Sequence, residues 1–193
     1  VAPDVPLHAS TQMALHTLSG VREAAAHGMS RAVLARELSR EELREIAEAA
    51  PIEVEAFVHG ALCMCYSGAC EMSAVIGGRS GNRGACAQPC RLRYGWHGKA
   101  DANPLSLKDS NLSADVCGMA DMGIACLKLE GRMKRPEYVA AVTAIYAALL
   151  RDRRPPTTDE QRLLALAFSR SGFTDFYYRG RRGRGMFGVR PEG

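Results

Sequence analysis

The sequence predicts an α/β fold in which parallel strands alternate with helices. Two observations carry the prediction. Four short apolar runs suited to strands alternate with segments of helical spacing, and that order implies parallel pairing through right-handed crossovers. Each strand run also ends in polar residues before its helix begins: His8, Ser10 and Gln12; Arg36 and Glu37; His59; and Lys128, Glu130 and Arg132. Four such units make either half of an eight-unit barrel or a small open sheet. In a parallel barrel the C-terminal strand ends build the active site, so these residues are expected at one polar mouth. For Arg36 and Glu37 the alternative is a salt bridge that holds loops.

The elements follow in order. Residues 5–13 form the first strand run, and Leu15–Gly28 has helical spacing and stops at a glycine. Ser30–Leu38 is the second strand. Ser39 opens a helix with Glu42 three residues on, the pattern of a capping box, and the helix ends before Pro51. Ile52–Val58 alternates apolar and acidic residues as a strand does. Residues 60–98, with glycines at 77, 78, 81 and 84, read as a long loop. Ser113–Met122 is a modest helix, Ile124–Glu130 the fourth strand, and Pro136 sits in the first turn of a helix reaching Leu150. A turn at 152–156 leads to a last helix over 158–168. The expected division is a strand–helix body over 1–150, loop included, and a C-terminal helix with a basic tail over 151–193.

With 193 residues, 47% of them hydrophobic and 24% charged, the chain has the size of one domain with a sizeable core. This composition excludes a disordered, collagen-like or fibrous polypeptide. No apolar stretch is long enough to span a bilayer, so no membrane partner is expected. No basic-then-apolar leader is visible, which makes the cytoplasm the expected compartment. The net charge is +4, and residues 170–193 hold six arginines against two acids, so the whole excess lies in the tail. Two readings of that tail are open: contact with nucleic acid, or a solvated and partly disordered end.

Five of the seven cysteines fall between Cys63 and Cys90. In a reducing compartment such clustering points to metal or redox chemistry rather than disulfides. The spacing Cys63-x6-Cys70-x15-Cys86-x3-Cys90 offers four thiolates from one loop, a set that binds structural zinc or an iron–sulfur cluster. Only the last pair is closely spaced, unlike the paired knuckles of zinc ribbons, and this favours the bulkier cluster. Residues 72–100 hold Arg79, Arg83, Arg91, Arg93 and Lys99 and no acid, which suits either a negative cluster or RNA phosphates. Cys65, on the same side of an extended backbone as Cys63, stays open as a fifth candidate. Cys117 and Cys126 stand at apolar positions and read as small core residues.

The run Glu55-Ala-Phe-Val-His59-Gly60-Ala-Leu-Cys63-Met-Cys65-Tyr-Ser-Gly68-Ala-Cys70 is highly specific. With its continuation Gly77-Gly-Arg79-Ser-Gly-Asn82-Arg83-Gly84-Ala-Cys86-Ala-Gln-Pro-Cys90-Arg91, it closely resembles the signature of the collagenase-like peptidases, the "U-thirty-two" family. Leu7-His-Ala-Ser-Thr-Gln12, Pro104-Leu-Ser-Leu-Lys108-Asp109 and Leu127-Lys-Leu-Glu130-Gly131-Arg132 are further family-like blocks. The resemblance implies the C-terminal half of a TIM-like (β/α)8 barrel with a cysteine-rich Gly loop insertion. The missing N-terminal half of the barrel is then a partner that this chain needs. Several characterised relatives carry a [4Fe–4S] cluster and hydroxylate RNA bases or a quinone precursor. By matching positions the resemblance implies Cys63, Cys70, Cys86 and Cys90 as cluster ligands. In the tRNA-modifying branch it implies prephenate as hydroxyl donor and a wobble uridine as target; an rRNA cytidine is the other target class.

Three functions are weighed. In an RNA base hydroxylase, His59, Glu37 or Glu130 would move protons. Gln12, Arg36, Lys128 and Arg132 would bind the substrate, with Arg36, Lys128 or Arg132 holding an anionic donor. Proteolysis, the activity that named the family, needs an activated nucleophile or a metal-bound water. The sequence has no G-x-S-x-G and no H-E-x-x-H, and a Cys63–His59 pair would sit far apart on an extended segment. The third reading is a non-catalytic fragment or assembly subunit.

Overall fold

The computed structural model describes residues 4–96, 99–131, 134–167, 169 and 171–188. Its frame is a sheet of four parallel strands: β1 (Leu7–Ala9), β2 (Met29–Val33), β3 (Glu53–Gly60) and β7 (Cys126–Leu129). β2 pairs with β1 and β3, and β3 also pairs with β7, every pair parallel. The expected strand order and direction therefore hold. The sheet is open and does not close into a barrel.

The helices follow where the sequence places them. α1 (Leu18–Ala26) is capped by the Thr17 hydroxyl and stops short of Gly28. α2 (Arg40–Ala49) starts with both bonds of the capping box, Ser39 Oγ to the Glu42 amide and Glu42 to the Ser39 amide. α4 (Val116–Asp121) precedes β7, and α5 (Pro136–Asp152) and α6 (Thr158–Ala167) follow it. These helices cover one face of the sheet. Ala9, Ala32, Leu34, Val54, Ala56, Val58, Val116, Met119, Val142 and Leu149 join in one apolar cluster. No helix among the described residues is long and apolar enough to cross a membrane.

Three features were not expected. The loop after β3 carries a short helix, α3 (Met72–Gly77), and a hairpin of β4 (Tyr94–Trp96) and β5 (Lys99–Ala102). β6 (Asp109–Asn111) returns antiparallel to the end of β3, pairing His59 with Asn111 and Gly60 with Ser110. β8 (Phe173–Thr174) then adds to β6 in parallel. β2 pairs only with the first half of β3, so β6 satisfies backbone that β2 leaves open: the Leu112 amide donates to the Val58 carbonyl.

A candidate active site at the strand ends

Phe57 and Val58 lead into a β-bulge, because the register between β3 and β7 shifts between Phe57 and His59. Strand alternation alone puts His59 on the same side as Phe57. The bulge re-aims it. His59 is 2% exposed and packs against the rings of Tyr138, Tyr146 and Phe173 at centroid distances of 6.3, 5.5 and 5.4 Å. Its Nδ1 lies 3.1 Å from the Tyr146 hydroxyl, which is also 3.1 Å from the Val58 carbonyl and 3.3 Å from Asn111 Oδ1. Burial lowers the His59 pKa to about 4, so the ring is neutral at pH 7. Nε2 is buried without a hydrogen-bond partner. His59 is thus walled in beneath α5 rather than open at the mouth.

Arg36 is where the strand-end residues meet. Its guanidinium donates to Glu130 Oε2 at 2.8 Å, to Ser67 Oγ at 3.2 Å and to Thr11 Oγ1 at 3.4 Å, and it stacks 3.7 Å above the centre of the Phe57 ring. Its side chain is 7% exposed, against 30% for Glu130. Ser67 is the hinge of the group. Its hydroxyl donates to Glu37 Oε1 at 3.0 Å and accepts from the Arg36 amide at 3.2 Å. Arg36 Nε and Glu37 Oε2 are buried without partners. Arg36 and Glu37 therefore do not pair with each other. One meets a carboxylate from the end of β7, and the other grips the cysteine loop.

The remaining candidates separate. Lys128 points from the body of β7 to Glu55 Oε1 at 2.5 Å, and Glu55 lies 3.7 Å from Arg31. This is a charge ladder along the sheet and not the mouth. Gln12 is exposed, with its amide oxygen near the Ser10 hydroxyl. Its backbone packs on Gly68, where a Cβ would collide with the Thr11 carbonyl. Arg132 lies outside the described residues.

Two glycines hold the loop against the strands. Gly60 has φ +112°, and a Cβ there would come within 2.8 Å of Glu130 Cβ. Gly68 has φ +83° and lies on the turn after β1. Arg91, 5% exposed, donates to the Leu62 and Leu107 carbonyls and so staples the two stems of the loop. It is a structural member of the basic stretch.

All seven cysteines are free and half-buried. Cys63 lies within electrostatic reach of Arg36, Glu130, Cys90 and Glu37, and burial pushes its thiol up to about 11. Burial also raises Cys90, which is within reach of Cys86 and Cys70. Backbone N–H groups face the sulfurs: Gln88 donates to Cys86 Sγ at 3.3 Å, and the Met64 amide bonds Cys90. Free thiols from one loop with N–H donors on sulfur fit a thiolate-ligated centre in their chemistry. Among the described residues no three His, Cys, Asp or Glu side chains converge at metal-holding distances. Cys65 lies beside Cys70, and its sulfur is 3.7 Å from the Ala69 carbonyl. Cys117 joins the main apolar cluster, but Cys126 faces the charge ladder near Glu55, contrary to its core assignment.

Sequence reasoning missed Asp109, which is fully buried and close enough to influence both His59 and Tyr138. Its signal was the Lys108-Asp109-Ser110-Asn111 run, whose polarity hid a buried strand. It also missed Ser67, which a serine amid cysteines does not advertise.

The chain was compared with known proteins. It is 41% identical over 162 residues to tRNA hydroxylation protein P1 of Bacillus subtilis, covering 78% of this chain and 38% of that protein. It is 40% identical over 154 residues to the 23S rRNA 5-hydroxycytidine C2501 synthase of Escherichia coli, covering 77% of this chain and 24% of that protein. A protein named collagenase from Porphyromonas gingivalis is 34% identical over 203 residues, covering 92% and 49%. The chain thus spans between a quarter and a half of the length of these relatives. No solved structure matches it. Residues 1–187 match Peptidase family U32, and the chain belongs to that family.

Proposed function

We propose that this chain is the C-terminal half of a TIM-like barrel in a cytoplasmic RNA base hydroxylation protein. A tRNA uridine or an rRNA cytidine is the target. The observation that carries the reading is Ser67, whose amide and hydroxyl donate to Glu37 and whose hydroxyl accepts from Arg36, so that the cysteine loop is bonded to the charged strand-end residues. It ties the thiol-rich loop to the cluster of charged strand-end residues around Arg36. The relatives named for tRNA and rRNA hydroxylation support the reaction class. Geometry favours it over proteolysis, because the ring of His59 is enclosed by Tyr138, Tyr146 and Phe173 and its Nε2 meets no hydroxyl or thiol among the described residues.

In this reading Cys63, Cys70, Cys86 and Cys90 hold a [4Fe–4S] cluster, which supplies one-electron chemistry when bound. The chain's own residues do the rest. Arg36 binds an anionic co-substrate, for which a carboxylate donor such as prephenate is suited. Glu130 orients that guanidinium, and Glu37, with one oxygen free, takes or gives a proton. Ser67 ties both roles to the loop. The N-terminal half of the barrel completes the mouth.

The test is nucleoside mass spectrometry of tRNA and rRNA from a deletion strain, with iron and acid-labile sulfide measured on anaerobically purified protein. Loss of one 5-hydroxypyrimidine, restored by the wild-type gene but not by Cys86→Ala or Arg36→Ala, is expected. An unchanged nucleoside profile would overturn the proposal.

A further inference from the structure

The basic excess of the chain sits in its tail, and the structure folds that tail back beside the strand-end site. β8 extends β6, the Lys108 amide donates to the Met186 carbonyl, and the Gly188 amide donates to Ser106. Met186 is 3% exposed and forms a small core with Leu62 and Leu107, joined by Phe176 and Tyr177. Leu62 is the first stem of the cysteine loop, so tail and loop share one packing centre. Tyr177 also lines a small cavity with Arg36 and Phe57. Residues 171–188 are thus anchored to the domain by hydrogen bonds and packing.

Within this anchored segment the arginines divide. Arg179 is used internally, 2.6 Å from Asp115 and 2.9 Å from Asp175. Arg181, Arg182 and Arg184 are exposed between the Phe176 turn and the Met186 anchor. Glu42, an acid within reach of Arg182, is already occupied in the capping box on Ser39. On the cysteine loop Tyr66 is 63% exposed, with Met64 at 40% and Leu92 at 45%. A Cβ on Gly180 would lie 3.8 Å from Ser39 Cβ, and Glu37, two residues before Ser39, accepts from the Ser67 amide next to Tyr66 at 3.2 Å, so the end of β2 brings the tail and the cysteine loop together.

We propose that Arg181, Arg182 and Arg184 together with Tyr66 form a track for single-stranded RNA running to the strand-end site. The guanidinium groups take backbone phosphates, and the Tyr66 ring stacks on a base. Exposed arginines, an exposed aromatic ring and the acid-free stretch that follows from residue 72 match a polyanion with flat apolar faces. A flexible single strand also brings its base edge to a recessed site, as a duplex does not. The inference rests on the RNA reading above and adds the residues and the strandedness.

The experiment measures binding of a labelled single-stranded RNA of about 12 nucleotides by fluorescence anisotropy across a salt series. The intact chain is compared with Arg181→Ser/Arg182→Ser/Arg184→Ser, with Tyr66→Ala, and with Arg22→Ser/Arg44→Ser/Arg162→Ser, which removes equal charge from helix surfaces. Circular dichroism checks the fold of each. The tail variant is expected to lose about 2 from the slope of log K against log salt, about 0.7 for each lost phosphate contact. Tyr66→Ala is expected to weaken binding about tenfold with the slope unchanged. The helix variant should lose less than half as much slope as the tail variant. Equal losses in tail and helix variants would overturn the track while leaving RNA binding in place. A parent chain that binds no RNA would overturn the RNA reading and the track with it.

Discussion

The two faces of the parallel sheet are built on different rules. On the helix-covered face Ala9, Ala32, Val54, Ala56 and Leu127 stand in register and pack into one apolar cluster. On the other face the same strands present Arg31, Glu53, Glu55, Phe57 and Lys128, joined by the ion pairs Arg31–Glu53, Arg31–Glu55 and Lys128–Glu55. Here strand parity separates folding energy from charge, and the cluster around Arg36 continues the charged face at its upper end. The one crossing point is the bulge at Phe57–His59, which transfers a titratable ring to the apolar side.

The largest effect that would test this division is Leu34→Ala. Leu34 is fully buried beneath the helices, and its truncation is expected to cost about 2–5 kcal/mol in chemical denaturation. A cost below that of the charged-face variant described last would break the comparison.

Next comes His59. Its folded pKa of about 4 lies below the ordinary value of 6.5. The unfolded chain therefore binds more protons across that window, and stability falls as pH drops from 6.5 towards 4. The contribution is about 3 kcal/mol at neutral pH relative to acid. His59→Gln should flatten this part of the stability–pH curve, measured by urea titration at several pH values. An unchanged curve would show that the ring is not sealed on the helix side.

The smallest effect is expected for Arg31→Ala/Glu53→Ala, since the Glu53 side chain is 56% exposed. An ion pair so open to water contributes under about 1 kcal/mol. A larger loss in thermal melts would mean that the charged face carries folding energy after all.

The strands and helices were legible because period-2 and period-3.6 apolar patterns are strong where an element has one buried side. The capping box at Ser39–Glu42 was legible for a local reason, as both partners lie within one turn. β6 was not, since Asp109, Ser110 and Asn111 carry no apolar alternation, and their pairing partner is fixed by distant backbone. The placement of His59 failed on a single bulge, which leaves no mark in residue type. Arg36 and Glu130 were found as polar strand ends, but their contact spans 94 positions and the Phe57 stack could only come from the fold. Lys128 looked like a mouth residue because it is two positions from Glu130, yet it pairs one layer lower. The tail was half legible: its charge was evident, and its anchoring through Met186 was not.

The pairing of Gly60 with Ser110 has a consequence for how the molecule can change. The two stems of the whole excursion between β3 and β6 are hydrogen-bonded neighbours, clamped by Arg91 across Leu62 and Leu107. Whatever lies between them closes on a fixed socket, and doubling its length costs only about 0.6 kcal/mol of closure entropy. Outside the residues that dock on the strand ends, Leu62, Ser67 and Gly68, the length of the excursion weighs little on the sheet. A change of length in the segment between the Arg91 clamp and Gly68 is therefore cheap for the sheet, as long as Gly60 and Arg91 keep the neck closed.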